Sequence, residues 1–210
     1  MSLASVMPGT ILKTGWQEHA SPAVDPSAWT AVIAAAGKGS RLGFHLLKIL
    51  YPVAERPILA WLLDLLLPNC ATVVLVLSPD GVAHVQPELE RLAKGRYRIA
   101  VQEQPTGMGD AVEVGAACAG TLHTAVIWGD QVAIRPGSIE TMFRIQQGPL
   151  MPDLTIPTVL RSSPYIHFPG DASGAISGLC QAREGDVMPE TGESDTGLFC
   201  LKTAVLRDLL

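Results

Sequence analysis

The sequence predicts an α/β fold in which helices flank a mostly parallel, Rossmann-like sheet. Short apolar segments rich in β-branched residues alternate with helical patterns at least four times between residues 29 and 150. That order is typical of a parallel sheet covered on both faces. After residue 150, strand-like segments follow one another with few helices between them. We therefore expect a mixed-sheet extension in the C-terminal part.

Each predicted element is bounded by turn-forming or polar residues. The predicted strands of the first part are Ala31–Ala35, Thr72–Leu77, Tyr97–Gln102 and Thr124–Trp128. The predicted helices are Pro57–Leu67, Glu88–Lys94, Asp110–Ala119 and a segment over residues 139–146. Ser78–Gly81 is expected to stop the second strand. The later strands are expected at Leu154–Leu160, Tyr165–Phe168, Ala175–Ala182 and Gly197–Leu201, with a helix from Thr203 onward.

Length and composition indicate one domain. The chain has 210 residues and a formal net charge of -5, and we expect an N-terminal extension over 1–28 followed by a domain over 29–210. No basic run predicts a nucleic-acid or anionic-membrane surface. The longest apolar stretch, Ile58–Leu67, is too short to span a bilayer. No signal peptide is evident, and the four widely spaced cysteines indicate buried, reduced thiols in a cytoplasmic protein.

The strongest motif directly follows the first predicted strand and consists of Ala-Ala-Gly-Lys-Gly-Ser-Arg-Leu over residues 35–42. Glycines let the backbone approach a phosphate, and successive N–H groups can form an anion-binding nest. Arg41 adds a fork of donors for phosphate oxygens. A dinucleotide loop is disfavoured because Gly43 lies four residues after Gly39 instead of three, and the Walker pattern is absent.

Lys48 lies seven residues after Arg41 in an apolar setting. Taken alone, it is explained more simply as a lysine whose stem packs on apolar surface while its head reaches water. Its spacing from the glycine motif makes it a candidate residue of the functional site.

The stretch AAAGKGSRLGFHLLKILYPVAERPIL, residues 34–59, resembles the signature of the sugar-1-phosphate nucleotidyltransferases, and in particular their N-acetylglucosamine-1-phosphate uridyltransferase branch. Lys48 takes the position of the signature lysine. Leu47 stands where the family usually has proline, and Glu55 where it often has glycine. Neither departure removes a charged catalytic group. The resemblance implies the nucleotide-diphospho-sugar transferase type of fold.

Two further segments resemble the family in order and spacing. Residues 102–111 resemble the base-recognition loop, in which Gln102, Gln104 and Gly107 would face the base. A polar strand-to-helix loop is the simpler alternative. Asp130, in the Gly-Asp pair after a predicted strand, would bind Mg²⁺ against phosphate oxygens. A capping or turn aspartate is the alternative there.

The resemblance weakens beyond residue 170. Gly174, Gln181 and Asp195 are implied to line the sugar pocket, with Asp195 replacing an expected asparagine. On the phosphate side, the resemblance implies catalytic roles for Arg41 and Lys48. The implied nucleotide-binding residues of the first motif are Ala35, Ala36, Gly37, Lys38, Gly39 and Ser40.

The implied activity is Mg²⁺-dependent transfer of a nucleotidyl group, with UTP favoured, to a sugar 1-phosphate, which gives a nucleotide sugar and pyrophosphate. A cytidylyl- or guanylyltransferase acting on another phosphate, and a nucleotide-binding homologue with weakened catalysis, stay open as alternatives. A dinucleotide-dependent oxidoreductase is disfavoured by the glycine spacing.

The resemblance implies a second metal ligand, an asparagine several tens of residues after the Asp-Thr-Gly segment, but only thirteen residues follow Gly197 and none of them is Asn. We therefore expect a C-terminally shortened domain. The apolar ending at residues 206–210 has no evident packing partner in the sequence, and we expect it to favour self-association into a homo-oligomer.

Overall fold

The computed structural model describes residues 23–37, 47–104, 106–149, 151–172 and 176–210. The chain divides into two compact units. The larger contains Pro22–Thr155 and Gly197–Leu210, and the smaller contains Ile156–Thr196. No helix among the described residues is long and apolar enough to cross a bilayer.

The larger unit is built on a sheet of six described strands in the order β5-β4-β1-β6-β12-β7. Its members are β1 (Trp29–Ala34), β4 (Thr72–Leu77), β5 (Tyr97–Val101), β6 (His123–Trp128), β7 (Leu154–Thr155) and β12 (Leu198–Lys202). The first four pair in parallel, whereas β12 is antiparallel to both β6 and β7. A mostly parallel sheet with a mixed edge is what the sequence predicts.

Helices cover both faces of this sheet. They are α1 (Ile58–Leu66), α2 (Pro79–Ala93), α3 (Met108–Ala117), α4 (Pro136–Gln147) and α5 (Thr203–Leu209). Ala31 and Ile33 of β1 join the core formed with α1, α2 and α4. Val32 and Ala34 join the core formed with α3 and α5. Because successive side chains of a strand face opposite sides of the sheet and both sides are covered, every residue of β1 is buried and all but Thr30 are apolar.

Two local predictions are wrong in the larger unit. Strand β4 ends at Leu77, as the predicted stop at Ser78–Gly81 requires, but helix α2 begins at Pro79, nine residues before the predicted helix start at Glu88. Proline suits the first turn of a helix because its missing N–H has no partner there. The segment before α1 also forms a hairpin of β2 (Pro52–Val53) and β3 (Arg56–Pro57), so Pro57 is the N-cap residue and lies outside the helix.

The smaller unit contains short antiparallel pairs. They are β8 (Thr158–Ser162) with β11 (Thr191–Asp195), and β9 (Ile166–His167) with β10 (Cys180–Gln181). The predicted strand Leu154–Leu160 is in fact β7 and β8, which lie in different units. Of the predicted strand Ala175–Ala182, the described part contains β10 and an isolated bridge between Ile176 and Gly170. Strand β11 was not predicted.

The C-terminal helix α5 corrects part of the expectation that the apolar ending has nothing to pack on, since Leu206 is buried although Leu209 and Leu210 are exposed. Leu206 is buried in the same core as α3. The guanidinium of Arg207 donates hydrogen bonds to the carbonyl oxygens of Ala116 and Ala119 at the end of α3. The arginine thus joins α5 to the C-terminal end of α3, where the carbonyl oxygen of Ala116 also accepts from the N–H of Ala119.

Candidate functional site

The candidate site lies where the connections of the parallel sheet diverge. From β1 the chain passes to β4 and β5 on one side, and then returns to β6 on the other. The gap between the carboxyl ends of β1 and β6 is therefore the switch point of the sheet, where open α/β sheets bind ligands. The glycine motif follows β1, and the Gly-Asp pair follows β6.

The two strand ends approach each other closely at Gly129. Its N–H donates to the carbonyl oxygen of Ala34 at 3.0 Å. A Cβ at Gly129 would lie 3.0 Å from that same oxygen and 3.0 Å from the Cβ of Ala35. Because backbone atoms form part of this contact, a side chain would push the strand ends apart. The glycine before Asp130 thus sets the spacing of the site.

Lys48 and Asp130, which are 82 residues apart in sequence, form an ion pair. Lys48 Nζ donates to Asp130 Oδ2, and the two side chains are 40% and 37% exposed. Lys48 opens a short 3₁₀ helix whose next residue, Ile49, is buried in the core. The carbonyl oxygen of Tyr51 accepts from the N–H of Ile58 at 3.0 Å, which ties this segment to α1. The lysine is therefore held by a packed segment while its head stays open to solvent.

The other carboxylate oxygen of Asp130 is available to a cation. Oδ1 is buried and has no hydrogen-bond partner among the described residues. An unpaired buried carboxylate oxygen is costly unless a ligand satisfies it. The described residues contain no group of three or more His, Cys, Asp or Glu side chains with metal-site geometry. Mg²⁺ commonly uses one or two carboxylates together with substrate phosphates, so this donor set fits such an ion.

The described part of the glycine motif comprises Ala35, Ala36 and Gly37. The N–H of Ala35 donates to the carbonyl oxygen of Val76 at 3.0 Å, which extends the pairing of β1 with β4. A Cβ at Gly37 would meet no atom within 4 Å. Lys38, Gly39, Ser40 and Arg41 lie outside the described residues, so their predicted roles stay predictions.

The predicted base loop connects β5 to α3. Gln104 and Gly107 are exposed, and Gly107 has a φ of +136°, which favours glycine. Gln102 differs from them, since it is only 5% exposed. Its Nε2 donates to the carbonyl oxygen of Gly107 at 2.9 Å and to Asp110 Oδ2 at 2.6 Å.

Asp110 is the partner of Gln102 that spacing alone did not reveal, although an acid is typical of the first turn of a helix such as α3. A hydrogen bond from the Thr106 side chain, followed by the one from Gln102, holds the pKa of the Asp110 carboxyl below its ordinary value. The carboxylate is therefore ionised at neutral pH and acts as an acceptor.

The predicted sugar-binding residues belong to the smaller unit. Gln181 lies in β10 opposite Ile166, and its N–H donates to Asp186 Oδ2 at 2.8 Å. Asp195 ends β11, opposite Thr158. Gly174 lies outside the described residues. Their proposed contact with a sugar stays a prediction.

A sheet that gathers a glycine segment and an ion pair at its switch point has the architecture of an α/β nucleotide-binding domain. The chain belongs to the family of MobA-like NTP transferase domains, whose sequence profile matches residues 31–188. This match places it among the nucleotidyltransferases and confirms, at the level of the family, the resemblance inferred from the motifs.

Curated relatives agree with this family. The chain is 30% identical over 190 residues to the bifunctional protein GlmU of Desulfitobacterium hafniense (strain Y51). It is 32% identical over 184 residues to that of Paraburkholderia xenovorans (strain LB400). These matches cover 87% and 85% of this chain but 40% and 39% of the relatives, so the chain spans less than half of their length.

Two solved structures share the fold. A UDP-glucose pyrophosphorylase complexed with UDP-glucose matches with a TM-score of 0.67 at 16% identity, covering 87% of this chain and 79% of that one. A CMP:2-keto-3-deoxy-manno-octonic acid synthetase complexed with CTP matches with a TM-score of 0.64 at 14% identity, covering 87% and 77%. At these identities the likeness establishes the fold alone.

Proposed function

We propose that this chain transfers a nucleotidyl group from a nucleoside triphosphate, with UTP favoured, to a sugar 1-phosphate in a Mg²⁺-dependent reaction. The products are a nucleotide sugar and pyrophosphate. The observation that carries the proposal is the Lys48–Asp130 ion pair at the switch point, beside the glycine segment that follows β1. The names of the relatives, which include a pyrophosphorylase complexed with UDP-glucose, support a nucleotide sugar as the product.

The reaction needs positioning and charge neutralisation more than a covalent nucleophile. A phosphate oxygen of the sugar 1-phosphate attacks the α-phosphorus, a new P–O bond forms, and the bond to the β-phosphate bridging oxygen breaks as pyrophosphate leaves. Lys48 would move from Asp130 to the α-phosphate or to the incoming sugar phosphate, where negative charges converge. Gly37, Gly39 and Arg41 would hold the β- and γ-phosphates.

Asp130 would hold Mg²⁺ through its carboxylate. When bound, the ion would neutralise charge on the triphosphate oxygens. Gln102, Gln104 and Gly107 would lie at the base. Gly174, Gln181 and Asp195 would contact the sugar.

The test is an array of the four nucleoside triphosphates against common sugar 1-phosphates with Mg²⁺, read by pyrophosphate release. We expect turnover with UTP and at least one sugar 1-phosphate. Release with CTP or GTP and a different phosphate acceptor would support one of the other transferases. Nucleotide binding without pyrophosphate release in any combination would contradict the proposed activity.

Lys48→Ala supplies the residue-level test. Removing one preorganised electrostatic donor should lower kcat on the order of a hundredfold. The Tm should change little because the Lys48 side chain is 40% exposed. Lys202→Ala is the matched control, since Lys202 forms an exposed ion pair with Asp153 at 2.7 Å in the same unit. If Lys48→Ala were as active as Lys202→Ala, Lys48 would have no role in the reaction.

A further inference from the structure

The Gln102 side chain braces the loop between β5 and α3. Its backbone N–H donates to the carbonyl oxygen of Leu77 at 2.9 Å, so the residue is still tied to the sheet. Its buried Nε2 reaches Gly107 at the N-cap of α3 and Asp110 in the first turn. The side chain therefore connects a strand end to a helix start across the loop of the proposed base site.

The chemistry of the two partners determines which way the amide faces. A backbone carbonyl oxygen and an ionised carboxylate are both acceptors, and an amide NH₂ has two hydrogens to donate. The opposite orientation would place Oε1 against two acceptor oxygens, an arrangement without hydrogen bonds. Both donors of Gln102 are thus used inside the protein, and its Oε1 is the atom that remains to meet a ligand.

We propose that Asp110 is a positioning residue for base selection, because its carboxylate holds the Gln102 amide so that the side chain offers the base an acceptor and no donor. This inference rests on the proposed function, in which Gln102, Gln104 and Gly107 lie at the base. Uracil presents an N3–H donor at the centre of its pairing edge, whereas cytosine presents a bare N3 acceptor there. An acceptor facing that position favours UTP over CTP.

Asp110→Ala tests the inference through kcat/KM with UTP and with CTP. The wild-type protein should prefer UTP. In the variant the amide can rotate and offer its NH₂ to cytosine N3, so the UTP-to-CTP ratio should fall about tenfold, the worth of roughly one hydrogen bond. Asp110→Asn keeps an acceptor oxygen in place. It should stay within about twofold of the wild-type ratio, since the neutral acceptor still satisfies the amide.

Glu113→Ala is the matched control, because Glu113 is an exposed acid of the same helix and carries the same charge. Its ratio should equal that of the wild type. An unchanged ratio in a normally melting Asp110→Ala protein would overturn the inference. An equal fall of the UTP-to-CTP ratio in Glu113→Ala would also overturn it, and so would a wild-type protein that prefers CTP. If Asp110→Ala does not fold, Asp110→Ser makes the same test, since serine suits a first turn but its shorter side chain ends before the amide.

Calorimetric titration with UTP and CTP separates this inference from the proposed activity. If the wild type releases no pyrophosphate but binds UTP over CTP, and the preference is lost in Asp110→Ala, the proposed activity fails and the positioning role stands. If pyrophosphate is released and neither binding nor turnover changes its base preference in the variant, the positioning role alone fails.

Discussion

The two carboxylate oxygens of Asp130 differ in their surroundings. Oδ2 accepts a hydrogen bond from Lys48, whereas Oδ1 is buried and has no partner among the described residues. Asp130→Asn should raise the Mg²⁺ concentration needed for half-maximal rate at least about tenfold, because an amide is a neutral and poorer ligand for a hard cation. Stability should change little, since the side chain is 37% exposed. Initial rates across a Mg²⁺ series measure the effect. Asp153→Asn, in the Lys202 ion pair, is the control. An unchanged Mg²⁺ dependence in Asp130→Asn would exclude Asp130 as a ligand.

His123 should make the stability of the protein depend on pH. It lies in β6 with its ring stacked on Trp29 at 4.9 Å between centroids. Burial, with a smaller effect of Lys202, lowers its pKa below the ordinary 6.5. Below pH 6.5 the unfolded chain therefore binds the proton more readily than the folded one. The free energy of unfolding should fall as pH drops from there toward the lowered pKa.

His123→Phe keeps an aromatic ring on Trp29 and removes the titration. Its free energy of unfolding, measured by urea denaturation between about pH 7 and pH 5, should decline less than that of the wild type. Parallel pH dependences in the two proteins would mean that other groups account for the loss.

The sequence singles out candidate site residues one at a time, but it does not show their contacts. Lys48 and Asp130 stood out by spacing, and the sheet then brought them together. Gln102 was predicted to face the base. That prediction did not include the use of both amide donors on Gly107 and Asp110. Spacing cannot show this, because the loop geometry decides which neighbours an amide reaches.

Helix α3 owes its position to Gly115. A Cβ there would overlap Val32 Cγ1 and lie 2.9 Å from Val76 Cγ2, so the helix packs directly on the strands. Gly115→Ala should destabilise the protein by about 1–3 kcal/mol, because overpacking outweighs the better helix propensity of alanine. Gly109→Ala, in the same helix with open space around its Cβ position, should be neutral or slightly stabilising. Thermal melting compares them, and equal Tm values would contradict this account.

Among the secondary-structure elements, the bounds of long, buried strands were predicted most accurately. Thr72–Leu77 matches β4 residue for residue, because a β-branched apolar run in a parallel sheet carries a strong pattern. The start of α2 was missed because Pro79 and Gly81 usually indicate a turn. Gly81 is buried within α2, where a Cβ would lie 3.1 Å from Ser78 Oγ, so a small residue suits this position without forming a turn. The two-residue strands of the smaller unit are too short for any periodicity to reveal.

Taken as a whole, the molecule should show two levels of local stability. Every residue of β1 is buried, whereas every residue of β8 is exposed. Local opening is cheapest where few apolar contacts resist it. In hydrogen exchange, amides of β1, β4 and β6 should be protected close to the global limit, and those of β8 and β11 should exchange much faster. Similar protection in both sets would show that the chain opens as a single cooperative unit.

The four free thiols differ in burial, and this difference allows selective labelling. Burial raises the pKa of Cys70 to about 12 and that of Cys200 well above its ordinary value, so neither offers a reactive thiolate. Cys118 and Cys180 are only half-buried. Cys118 belongs to the larger unit and Cys180 to the smaller one. A maleimide dye should therefore attach to one native position in each unit. If the unmutated chain is labelled with a mixture of a donor and an acceptor maleimide, single-molecule energy transfer would report whether nucleotide changes the distance between the two labelled cysteines.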